Sequence, residues 1–141
     1  MRITFIFFFI LVVLFSCSKE KCVSKKLEGN WIVDLMQIQD GEGFTYFDSM
    51  PKGTFSFDSD QKVINAIVAY QFVNLNGFKV KDTFKVELEK YVFNSKYDRI
   101  FFKVNSDSIN ARIILLTEKS MELEYYDLVK YRLVRFILSK D

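Results

Sequence analysis

Phe84-Lys85-Val86-Glu87-Leu88-Glu89 is the segment on which the fold turns. Apolar side chains at 84, 86 and 88 alternate with charged ones at 85, 87 and 89, so successive residues of an extended chain point to opposite sides. One side suits a core and the other suits water, the pattern of an antiparallel sheet covered on one face. Working outward, the same texture predicts strands at 31–39, 52–57, 62–73, 77–93, 99–104, 109–116, 120–126 and 130–138. Short polar turns separate them, among them Asp58-Ser59-Asp60-Gln61 and Asn74-Leu75-Asn76-Gly77, the second rich in residues that tolerate positive φ. That makes eight strands, and 77–93 is long enough to need a bulge or a break, which would make nine. No window has a helical period; residues 23–28 have room for a single turn before Gly29 stops it. An even count with hairpin-length turns predicts an all-β, antiparallel, up-and-down eight-stranded barrel, because closure leaves no bare edge. A sandwich or an open barrel would use the same strands.

Composition narrows the chemistry. The chain has no histidine, so it lacks the commonest general base and the commonest zinc ligand. Ser-His-Asp and Cys-His machinery cannot be built from it. Asp58-x-Asp60 looks like the start of a calcium loop, but Lys62 takes the next ligand position and no glycine follows. Glu87 with Glu89, and Glu122 with Glu124, lie two apart on strands and share the wet face, where a buried acid/base pair does not form. Asp34 is ambiguous, since Trp31, Val33 and Leu35 are read onto the other face. These residues predict a protein that is not an enzyme, with no cofactor and no metal. Lys and Arg number 20 against 18 Asp and Glu, a balance that gives no reason to expect nucleic acid.

The first seventeen residues have a different character. Arg2 precedes an apolar run at 3–15, too short for the roughly 20 residues a membrane-spanning helix needs, and Ser16-Cys17 follows. This layout resembles the lipobox of bacterial lipoproteins. The resemblance implies a signal peptide at 1–16, removed before Cys17, and acyl chains such as palmitate on Cys17. Attachment would be to membrane lipid, at the outer membrane because Ser18 rather than aspartate follows; the face is left open. Residues 17–26 then form a lipidated tether and 27–141 a single domain. Lys19, Lys21, Lys25 and Lys26, set against Glu20, suit either an anionic leaflet or a solvated spacer. Cys22 would be the one remaining thiol, so no internal disulfide can form.

Gly29-Asn30-Trp31 opens the first strand. A Gly-x-Trp in that place resembles the lipocalins, whose tryptophan plugs the closed end of an eight-stranded barrel. The stretch from Ile113 to Tyr131 is similar to the short lipocalin-like domains of Bacteroidota lipoproteins. The resemblance implies a basic residue stacked over Trp31, either Arg135 or Arg132, and a first loop folded over the barrel mouth. Here that loop is 40–51, carrying Phe44, Tyr46, Phe47 and Met50, which need cover from water. Phe55, Phe57, Phe72, Phe84 and either Phe101 or Phe102 are candidates for the inner wall. A barrel of this size either fills itself with side chains or holds one small ligand. The expected function is therefore a membrane-anchored lipocalin-like lipoprotein binding a small hydrophobic ligand. The alternative is a filled barrel that binds a protein partner, as an assembly subunit, an inhibitor or an immunity protein.

Overall fold

The structure, a computed structural model, describes residues 18–104 and 106–141. The expected signal peptide and Cys17 lie outside the described residues.

The chain begins with helix α1 (Lys19–Leu27). Ser18 caps it, its Oγ accepting from the Lys21 amide at 3.3 Å, and Glu20 sits in the first turn with Lys25 and Lys26 in the last, both favoured by the helix dipole. The helix is longer than the single turn expected at 23–28, because the cap and a tertiary contact supply what periodicity does not. Ser24 and Leu27 are buried, Glu20 pairs with Lys62 at 2.5 Å, and Glu28 accepts from the Ser59 amide at 2.5 Å. The stretch read as a tether is thus a helix docked against the sheet.

Ten strands follow: β1 (Gly29–Gln39), β2 (Thr45–Asp48), β3 (Lys52–Asp58), β4 (Val63–Val73), β5 (Lys79–Lys90), β6 (Val92–Phe93), β7 (Arg99–Val104), β8 (Asp107–Leu116), β9 (Ser120–Asp127) and β10 (Arg132–Lys140). That is one more than the nine that the expected break within 77–93 gives. β2 forms inside the supposed loop, doubling back on the second half of β1 with Met36 opposite Asp48 and Gln39 opposite Thr45. The stretch 77–93 breaks at Tyr91, whose ring is sunk into the core against Phe57 and Phe93.

All pairing is antiparallel, in the order β5-β4-β3-β1-β10-β9-β8-β7-β6, with β2 beside β1. First and last strands join, as an up-and-down barrel requires. The expected closure is nevertheless incomplete: β5 and β7 lie close together, but among the described residues no ladder links β5 to β6 or β7. At Tyr91 the chain changes partner: its amide still donates to the Lys62 carbonyl at 2.8 Å, beside the Val63–Lys90 pair, and Val92 and Phe93 then pair with β7. Lys79, Lys81, Lys85 and Glu87 are exposed along β5, which protects such an edge from pairing with another chain.

Bulges decide which residues face inward. One between Val33 and Leu35 switches β1, so that Trp31 and Val33 are buried before it and Met36 and Ile38 after it. Asp34 stays exposed and accepts from Ser139 Oγ at 3.0 Å. A second bulge sets Glu87 and Leu88 opposite Asn65. Phe84 and Val86 are buried as expected, but Leu88, at φ 48°, is turned out and 75% exposed. The alternation that decides the fold therefore ends one residue pair early.

The interior is filled at its centre. Phe55 lies 5.0 Å from Phe136 and 5.6 Å from Phe84 between ring centroids, and Phe84 lies 5.5 Å from Tyr125. Packed rings at these separations contribute about 0.5–1.5 kcal/mol each beyond their area. Phe57 and Phe102 are buried, whereas Phe72 and Phe101 are only partly so.

Candidate functional site

The two ends of the curled sheet differ in chemistry. At the end that α1 covers, Trp31 is fully buried, and its Nε1–H donates to the Leu27 carbonyl at 2.8 Å. The cation over its ring is neither Arg135 nor Arg132 but Lys140, with Nζ 5.1 Å from the ring centroid. The last strand runs past 138 to Lys140, which is the register partner of Trp31. Arg135 instead pairs across the outer face with Glu122 at 3.3 Å and Glu124 at 2.7 Å. Gly29 has φ +106°, a backbone that favours glycine, and an added Cβ would sit 3.4 Å from the Lys140 side chain.

The opposite end, the mouth, is where inward alternation continues into polar residues. Tyr70 follows Ile64, Ala66 and Val68; Arg132 precedes Val134, Phe136 and Leu138; Asp127 follows Leu123 and Tyr125. Asp82 occupies the same series as Phe84 and Val86. Cross-strand register sets Tyr70 opposite Asp82 and Arg132 opposite Asp127. Arg132 then ties these two pairs across the interior. Its Nη2 donates to the Tyr70 hydroxyl at 2.5 Å and to Asp82 Oδ2 at 3.3 Å, and its Nε to Asp127 Oδ2 at 3.3 Å. The Tyr70 hydroxyl donates in turn to Asp82 Oδ2 at 2.8 Å, and Lys130 donates to the same carboxylate. Burial raises the Asp82 pKa, but hydrogen bonds from Lys130, Tyr70 and the Thr83 amide outweigh it and hold the group at about 2. Tyr70 is driven well above its ordinary value, chiefly by burial and despite the Arg132 charge, so its hydroxyl stays protonated.

Beside this tie lies a cleft of about 370 Å³, where β5 and the β7–β8 connection fail to join. Phe84, Tyr125, Val104 and Ile109 give it apolar walls, and the Asp127, Lys130 and Arg132 side of the mouth gives it a charged rim. Its volume lies near the lower end of the roughly 300–1,000 Å³ of small-molecule sites. The opening exists because the ladder is unclosed at this seam.

The loop expected as a lid does not cover this cleft. Tyr46 packs on Phe72, with ring centroids 5.0 Å apart, and donates to Asp40 Oδ2 at 3.0 Å; burial, then Asp40, raises its pKa. Phe44 and Phe47 face outward, and Met50 lies along a separate shallow groove beside Asp48 and Lys81. Asp48 pins the arm down, accepting from the Gln71 amide at 2.7 Å and the Met50 amide at 3.0 Å.

Sequence reasoning missed Tyr70, Asp82 and Asp127 and assigned Arg132 to the wrong end. The signal was present: carrying each strand's alternation one step beyond its apolar run puts all four inside.

No family model and no curated protein matches this chain. Among solved structures it is similar to a bovine odorant-binding protein deswapped triple mutant, at 10% identity and a TM-score of 0.44, over 82% of this chain and 74% of that one. At that identity and score the likeness adds nothing to the reading of the site, which rests on its own residues.

Proposed function

We propose that this protein is an envelope lipoprotein that binds one small, partly apolar molecule in the cleft at its mouth. The observation that carries this reading is the pairing of apolar walls, Phe84, Tyr125, Val104 and Ile109, with the ionic rim around Arg132. Such a site orients a ligand whose body is greasy and whose one end is polar, because apolar contact supplies affinity while the fixed charges reward a single direction. Binding without catalysis is the role proposed, since the rim's carboxylates already accept from Arg132, Lys130 and Tyr70. The lipobox-like Ser16-Cys17 supports attachment to membrane lipid through an acylated Cys17, at the outer membrane.

A hydrophobic fluorophore titrated into the purified protein tests the site. Ile109→Trp, which fills the cleft from its wall, should abolish binding while leaving the melting temperature within a few degrees. Equal binding by that variant would place the ligand elsewhere. The alternative of a protein partner draws on Phe44, Phe47 and Met50, which are 44%, 59% and 82% exposed. Native mass spectrometry of detergent-released protein separates the two, because a copurifying hydrophobe supports the cleft and a copurifying polypeptide supports the arm.

A further inference from the structure

The exposed face of α1 carries Lys19, Lys21, Cys22, Lys25 and Lys26, and no acidic residue. The two acids of this segment, Glu20 in the helix and Glu28 at its C-cap, remain partly or wholly exposed but reach back to the sheet, Glu20 to Lys62 and Glu28 to the Ser59 amide. Charge is thus separated across the helix: carboxylates toward the protein, ammonium groups toward the outside. Among the described residues no carboxylate lies within ion-pair distance of those four lysines. This asymmetry is local, because subtracting Arg2 from the 20 basic residues leaves 19 against 18 acidic in the rest of the chain.

Position adds a second argument. The apolar run at 3–15 ends three residues before Ser18, and the helix starts at Lys19, so little slack separates the two. Whether that run is retained or replaced by acyl chains on Cys17, whatever holds the chain to a bilayer holds α1 beside it.

We propose that the lysine face of α1 docks on an anionic phospholipid surface, so that the cylinder stands with its tryptophan-plugged end toward the membrane and its mouth pointing away. This rests on the membrane-attached reading above for its setting, but the contact itself is electrostatic and needs no acyl group. Each lysine near an anionic leaflet contributes about five-fold to partitioning, and the attraction is screened at high salt.

The test uses residues 18–141, which contain the whole described core and lack Cys17, so failure of acylation leaves its outcome unaffected. This protein should co-sediment with vesicles of equal parts phosphatidylglycerol and phosphatidylcholine at low salt, and not with phosphatidylcholine alone. Changing Lys19, Lys21, Lys25 and Lys26 together to Gln should lower partitioning about five-fold per residue. Changing Lys52, Lys79, Lys81 and Lys103 to Gln removes the same charge from the mouth end and should leave partitioning within two-fold of the parent, about the spread of exposed-charge effects. Absence of vesicle binding, equal binding to neutral vesicles, or equal losses from the two sets would each overturn the proposal. Fluorophore binding at the mouth should be the same in all three proteins, which keeps the ligand reading separately testable.

Discussion

Trp31 and Tyr91 are both buried rings at the closed end, yet their polar atoms fare differently. The indole N–H of Trp31 reaches the Leu27 carbonyl, whereas the Tyr91 hydroxyl has no hydrogen-bond partner among the described residues. Burial, followed by the charges of Glu28, Asp58 and Glu20, pushes the Tyr91 pKa up to about 12. A buried donor without a partner costs about 1–3 kcal/mol, so Tyr91→Phe should leave stability unchanged or raise it. Trp31→Ala should lose about 3–5 kcal/mol through lost burial and the cavity left behind. Urea titration of both variants checks the contrast; a Tyr91→Phe protein as damaged as Trp31→Ala would show that the hydroxyl is satisfied. Much of this end is legible in the sequence, because Gly29-x-Trp31 marks both the turn and the plug. The stacking cation is not legible, since strand ends are the least determined part of an apolar pattern: the last strand reads as stopping at 138, and Lys140 lies beyond.

At the scale of elements, β3 and β4 approach more closely than any side chain permits at one point. A Cβ added to Gly53 would fall 2.1 Å from the Ile67 carbonyl oxygen and 2.5 Å from Val68 Cα. Backbone cannot yield as a flexible side chain does, so Gly53→Ala should destabilise by about 1–3 kcal/mol or more. Thermal unfolding measures it, with Gly77→Ala as a comparison. Gly77 has open space around it, and its cost comes from φ +77° alone. The strands themselves are legible from period two, and the reading of 99–104 has the same bounds as β7. The arm at 40–51 could not, because its pairing is set by distant partners. Asp48 reaches the Gln71 amide and Tyr46 reaches Phe72, contacts that no local pattern encodes. Leu88 shows the converse case, where a clean local pattern yields to a bulge imposed by the neighbouring strand.

For the whole molecule, Arg132 is the side chain that joins opposite walls. It is 8% exposed, and removing it leaves Asp82 and Asp127 facing one another's charge with less compensation. Breaking a buried ion pair by deleting one partner costs about 3–5 kcal/mol, so Arg132→Met should lose a discounted part of that, about 2–4 kcal/mol, given a rim partly open to water. The acid limb of stability follows from the same cluster. Asp82 holds its charge to about pH 2 in the folded chain, while an unfolded aspartate titrates near 4. Between those values the unfolded chain binds the extra proton, so this contribution is complete above about pH 4 and disappears as pH falls toward 2. Melting temperatures recorded from pH 6 to 2 should fall less steeply for Asp82→Asn than for the parent, from a lower starting point. The mouth was hidden from sequence reading because each of its residues looks like an ordinary strand-end polar group; only the register of β4 with β5 and of β9 with β10 brings them together.

The unjoined edges of β5 and β7 carry one more implication. Since among the described residues no ladder spans them, the wall can part along that line without rupturing a main-chain bond between those strands, and a guest bound as proposed would have a side door as well as the rim. Stapling the two edges together with an engineered crosslink should therefore slow both arrival and escape of the guest by similar factors, leaving the equilibrium between them untouched.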